Sequence, residues 1–183
     1  MIIDKTKLPW VLTIQFPHFC DNRGSFTKSF HAGIFADMIG YIPQFKEWFF
    51  TKSQKNVIRG MHFQLPPSAV DKLVYVSSWI ILDVVLDLRK DSWTYGEYIK
   101  KELNDENNIA IFIPKWLAHG FLSLSDTSTV HYLTTEVYDP VNDTWISWDS
   151  FGYDWEWVDP IISGKDAQLG PLKDFSSPFN INN

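Results

Sequence analysis

Hydrophobic and polar positions along this chain alternate in many short stretches, with β-branched and aromatic residues at the apolar places. A two-residue period marks strands that bury one face. Residues 10–16 read as the first such strand, followed by a loop over 17–24. Residues 47–53 and 57–63 read as two more, joined by a polar turn. Residues 72–76 and 79–88 follow, separated at Ser77 and Ser78, and 109–113 ends at Pro114. Residues 118–124 and 129–137 flank the turn Ser125-Asp126-Thr127-Ser128. Residues 31–39 form the best short helix, stopped by Gly40, and the polar run 104–108 reads as a turn. Many short strands with closely spaced turns predict an all-β fold, a β-sandwich or jelly roll with a few short helices. No repeat or linker divides the chain, so residues 1–183 are expected to form one domain, with 173–183 a loose tail.

Composition narrows the function classes. With 45% apolar and 16% aromatic residues, the chain is too apolar to be disordered. The nine tryptophans are read mainly as packing. No apolar run approaches the roughly 18 residues of a membrane span; Trp79-Ile80-Ile81-Leu82, for example, breaks at Asp83. Met1-Ile2-Ile3-Asp4-Lys5 lacks the charged-then-apolar order of a signal peptide. A single cysteine, Cys20, allows no internal disulfide and suits a reducing cytoplasm. The net charge of -6 argues against nucleic acid as a partner, although local Arg and Lys could hold a small anion.

Five histidines are candidates for chemistry: His18, His31, His62, His119 and His131. His62 stands in Arg59-Gly60-Met61-His62-Phe63-Gln64, where strand alternation would put Arg59 and Met61 on one side and Gly60 and His62 on the other. A hydrogen-bonded core histidine is the ordinary reading; a general base titrating near neutrality is the functional one. His119 ends Pro114-Lys115-Trp116-Leu117-Ala118-His119, a spacing similar to the second metal motif of cupins. The first half of such a site would need a second histidine and a glutamate, and the chain has Phe63-Gln64 there, so no metal is expected. Lys72 precedes an apolar strand, and Asp83 and Asp87 interrupt the next. These charges are either a structural pair or include an oxyanion-stabilising lysine. Tyr132 would ordinarily be packing. Phosphate-loop, serine-elbow and thiol motifs are absent.

Taken in order, the pieces resemble the dTDP-4-dehydrorhamnose 3,5-epimerase family. They are Asp21-Asn22-Arg23-Gly24-Ser25-Phe26, Val57 through Pro67, Asp71-Lys72-Leu73-Val74, Leu82 through Arg89, Ser92 through Gly96, Ala118-His119-Gly120-Phe121, Tyr138-Asp139-Pro140, Trp148-Asp149, Trp155 and Lys165-Asp166. The resemblance implies a cupin-type jelly roll, dimeric and without metal or other cofactor, in deoxysugar and capsule polysaccharide synthesis. His62 would be the base, oriented by Asp166. Lys72 would stabilise an enolate, supported by Asp83 and His119, and Tyr132 would protonate the opposite face. Arg23, Arg59, Tyr138 and Lys165 would hold the substrate and its diphosphate, and Phe26 would hold the nucleotide base across the dimer. A proton beside a ketone becomes acidic only if the enolate oxygen is stabilised, which a lysine in a dry pocket does.

The chain departs from the family pattern where the base should bind. Lys28 stands in place of a glutamate, and Glu47 and Phe49 in place of a glutamine and an asparagine. A carboxylate suits the N1 and N2 donors of guanine, and a lysine its O6, so a GDP-linked 4-keto-6-deoxy sugar such as a heptose is expected. The alternatives are a dTDP-4-dehydrorhamnose 3,5-epimerase proper, a non-catalytic nucleotide-sugar-binding cupin and a metal-dependent cupin. Trp79 and Trp116 replace two usual glycines and would either reshape the pocket or pack outside it.

Overall fold

The computed structural model describes residues 1–155 and 159–181. In chain order the elements are β1 (Ile2–Lys5), β2 (Leu12–Gln15), β3 (His18–Asp21), β4 (Gly24–Thr27), helix α1 (Ala32–Ile39), β5 (Glu47–Gln54), β6 (Ile58–Gln64), β7 (Lys72–Ser78), β8 (Ile80–Asp87), β9 (Tyr98–Asn104), β10 (Ile109–Ile113), β11 (Leu117–Ser123), β12 (Thr127–Thr134) and β13 (Asp143–Trp145). They form a sheet in the order β1-β2-β10-β7-β12-β5, a sheet in the order β13-β6-β11-β8-β9, and a separate β3–β4 hairpin. These strands all pair antiparallel, and one isolated parallel bridge joins Val57 to Ile161. No helix among the described residues is long and apolar enough to cross a membrane.

The alternation read from the sequence is what makes this a jelly roll. Val74, Val76, Ile111, Val130 and Tyr132 of the first sheet meet Ile81, Val85, Leu103, Leu117 and Phe121 of the second in one buried cluster. Each sheet also buries much of its outer face. On the first, Phe35 of α1 packs with Leu12, Ile14, Leu73 and Phe112. On the second, Ile58, Met61, Val84, Leu86 and Leu122 pack under Phe151, Tyr153, Trp155 and Phe179. Helix α1 forms where expected: the His31 side chain accepts a hydrogen bond from the Ile34 amide, and Gly40 closes the helix at φ 83°.

Several expectations are corrected. The segment 17–24, read as a loop, belongs to the β3–β4 hairpin, whose residues are all exposed. With no buried face, it leaves no alternation to read. Strand β9 is an edge strand with only Leu103 buried, and β1 and β13 are too short to signal. The strand expected over 129–137 runs from Thr127 to Thr134. The expected loose tail is packed as far as it is described. Phe179 is buried, its carbonyl accepts from the Lys90 amide at 3.1 Å, and the Ser177 hydroxyl donates to the Leu88 carbonyl. Residues 182–183 lie outside the described residues.

Strand β6 also breaks the predicted alternation. Against β11 it pairs His62 with His119 but Arg59 with Phe121, so Gly60 and Met61 together stand opposite Gly120 alone. This bulge resets the pleat, so Arg59 and His62 both reach the interior cavity while Met61 joins the outer core. The bulge sits where the two strands nearly touch. A Cβ on Gly60 (φ 134°) would lie 2.5 Å from the Gly120 Cα, and one on Gly120 2.7 Å from the Met61 sulfur. Only glycine fits either place.

Candidate active site

Strands β5, β6, β7, β11 and β12 turn their inner faces toward a cavity of about 430 Å³. His62 Nε2 lies 2.8 Å from Asp166 Oδ1. Asp166 is buried and opens a short 3-10 turn, Asp166–Gln168. Burial pushes its pKa up, but the His62 hydrogen bond and charge, the Ser163 hydroxyl and the Gly60 amide outweigh that and hold the carboxyl below its usual range. The ionised carboxylate thereby orients the imidazole and leaves Nδ1 as the nitrogen available to a ligand. The edge of Trp145 braces the ring, with centroids 6.3 Å apart.

Lys72, at the start of β7, donates from Nζ to the His62 carbonyl at 3.1 Å. Burial lowers its pKa to about 8, against the pull of Asp143 and Asp83. Behind it, fully buried Asp83 accepts from His119 Nε2 at 2.7 Å, and its other oxygen has no hydrogen-bond partner. Tyr132 stacks on Phe49 with centroids 4.7 Å apart and planes 11° apart, and His119 meets it edge-on at 6.0 Å. Burial raises the phenol pKa, Thr51 and Arg59 oppose the rise, and Asp83 adds to it. The phenol therefore stays protonated at neutral pH, a donor facing a cavity that also holds a carboxylate-backed imidazole and a largely desolvated ammonium.

Arg59 is held by Ser53 Oγ at 3.0 Å and the Lys52 carbonyl at 3.3 Å. Glu47 lines the cavity, and its Oε2 accepts from the Tyr138 amide at 2.9 Å; the Tyr138 side chain is exposed at the rim. Lys165 lies beyond the lining, 2.7 Å from Asp143 Oδ2 and over the Trp145 ring. The chain alone does not bring Arg23, Phe26 or Lys28 to the cavity. They are exposed on or beside the β3–β4 hairpin, where Arg23 pairs with Asp21. His18 is on the same hairpin, and His131 lies on the outer sheet face, stacked on Tyr75.

Sequence reasoning missed Asp143 and Thr51, which both line the cavity. Thr51 shares the inner face of β5 with Glu47 and Phe49, so alternation contained that signal; Asp143 sits on a strand too short to read. Gln64 is committed to structure, donating to the Ser68 carbonyl and accepting from the Asp139 amide. Trp79 and Trp116 do not line the cavity. Their φ values of 68° and 76° lie in the left-handed region that glycine adopts without strain.

A jelly roll with an ionised Asp–His pair, a half-buried lysine and a protonated tyrosine in one cavity has the equipment of a proton-transfer isomerase. The profile of the dTDP-4-dehydrorhamnose 3,5-epimerase family matches residues 5–174. The chain is 42% identical over 175 residues to the dTDP-4-dehydrorhamnose 3,5-epimerase of Methanothermobacter thermautotrophicus, covering 93% of this chain and 94% of that one. It is 37% identical over 177 residues to that of Salmonella typhimurium, covering 95% and 96%. A solved dTDP-6-deoxy-D-glucose-3,5-epimerase from Legionella pneumophila, in complex with dTDP-4-keto-L-rhamnose, superposes with a TM-score of 0.91 at 31% identity, covering 96% and 94%. The chain belongs to the dTDP-4-dehydrorhamnose 3,5-epimerase family, and it is an isomerase acting on a nucleotide-linked sugar.

Proposed function

We propose that the chain inverts C3 and C5 of a dTDP-linked 4-keto-6-deoxy sugar through an enolate. The observation that carries this reading is the convergence of His62, Lys72 and Tyr132 on one cavity, with Asp166 behind the histidine. His62 removes the proton beside the ketone, and Asp166 stabilises the imidazolium that forms. The Lys72 ammonium neutralises the enolate oxygen, with Asp83 and His119 fixing its surroundings. Tyr132 delivers a proton to the opposite face of the carbon, which completes the inversion. Both carbons flank the same ketone, so one site serves both when the sugar re-seats. Arg59 and Tyr138, which line the cavity, hold the diphosphate end, with Lys165 just beyond them.

The nucleotide assignment follows the relatives, whose names specify dTDP. The expected guanine contacts are weaker in the folded chain. The Glu47 carboxylate is already engaged by the Tyr138 amide. The hairpin bearing Arg23 and Phe26 is proposed to reach the cavity of a second copy in a homodimer. The test is proton NMR in D2O with dTDP- and GDP-linked 4-keto-6-deoxy sugars. Deuterium entry at C3 and C5 of the dTDP sugar, with inverted product, is the expected result. Turnover of the GDP sugar alone would restore the guanine reading, and exchange with neither by folded protein would overturn the proposal.

A further inference from the structure

One polar group in the cavity has no task in the scheme above. The Thr51 hydroxyl is cut off from water and makes no hydrogen bond of ordinary geometry, yet it lies close enough to the Tyr132 phenol to lower its pKa; buried polar side chains almost always find a partner. Thr51 pairs across the ladder with Val130, and Tyr132 pairs with Phe49, so the hydroxyl lies diagonally beside the phenol on the inner face. The neighbouring polar groups are already engaged. His119 is bound to Asp83, and Arg59 to Ser53 and the Lys52 carbonyl. Phe49 closes one face of the phenol ring.

We propose that Thr51 is a positioning residue for Tyr132, holding the phenol in line with the reacting carbon and donating a hydrogen bond to the phenolate left after protonation. This rests on the reading of Tyr132 as the proton donor. In that step the new C–H bond forms with the enolate electron pair, the Tyr132 O–H bond breaks, and the negative charge passes to the phenolate oxygen. That charge arises in surroundings that already disfavour it, as the raised phenol pKa shows. Thr51 opposes that rise and is β-branched, so its oxygen is held with little rotational freedom. The balance closes through solvent: water restores the phenol proton, and His62 gives up to water the proton it removed.

The test compares wild type with Thr51→Val, Thr51→Ser and Tyr132→Phe, using the dTDP-linked 4-keto-6-deoxy sugar in D2O. Deuterium entering with retention reports the His62 half-reaction; inverted product reports the Tyr132 half-reaction. Thr51→Val, which replaces the hydroxyl by a methyl of similar size, is expected to keep exchange with retention within about threefold while inversion falls about 10- to 100-fold, the worth of a hydrogen bond to a charged group. Its inversion rate should hold to higher pH than wild type, because a phenol without that stabilisation ionises later. Thr51→Ser should recover most of the inversion. Inversion at the wild-type rate in Thr51→Val, or equal loss of exchange and inversion, would overturn the role of Thr51. Normal inversion by Tyr132→Phe would instead remove the underlying reading of Tyr132.

Discussion

At the scale of single residues, the site works by setting protonation states through burial. Lys72 is the clearest case, because desolvation brings its pKa to about 8 from the ordinary lysine value. The ammonium form is the one that would stabilise the proposed enolate, so kcat/KM should fall as pH rises through about 8. Replacing it by Lys72→Met should lower kcat about 100-fold or more and abolish that limb, as a pH–rate profile would read. Asp166 has the opposite sign: it stays ionised because His62, Ser163 and the Gly60 amide overcome its burial. Asp166→Asn should cut deuterium exchange at both carbons by about 100-fold or more, since the imidazole loses the carboxylate that orients it and stabilises its charged form.

At the scale of elements, the β6–β11 crossing decides the site. Its bulge places Arg59 and His62 in one cavity, and the Gly60–Gly120 contact lets the strands approach that closely. Gly60→Ala should therefore destabilise the protein by about 3 kcal/mol or more, with the melting temperature falling by about 6–12 °C in a thermal scan. Trp79 gives the reverse prediction. It is exposed and holds a left-handed backbone that costs a non-glycine residue about 1 kcal/mol. Trp79→Gly should raise the melting temperature by about 2–4 °C without changing turnover.

At the scale of the whole molecule, helix α1 and the C-terminal segment each cover part of one outer sheet face. The outer side of β5 is left bare: Trp48 and Phe50 are exposed there, and Phe19 and Phe26 are exposed on the hairpin. Exposed aromatics this numerous suit the proposed homodimer, since a stable interface buries about 800 Å² on each partner. Sedimentation should show a dimer, and the double variant Trp48→Ser with Phe50→Ser should shift it toward monomer. If the hairpin completes the site of the second copy, that variant should raise KM more than it lowers kcat.

Strand alternation and turn chemistry were enough to read a β-sandwich or jelly roll, helix α1 and the candidates His62 and Lys72, because each is a local pattern or lies inside one; Tyr132 and Asp166 became candidates only through the resemblance. The pairing of His62 with Asp166 spans 104 positions and depends on the C-terminal turn docking behind β6, which only the resemblance anticipated and only the tertiary structure placed. The bulge at Gly60 was illegible because nothing in Arg-Gly-Met-His states which strand carries the extra residue; the pairing partner decides that. Thr51 and Asp143 carry no chemical signature of their own. They gain significance only when two sheets close around a cavity and determine which small polar groups are cut off from water.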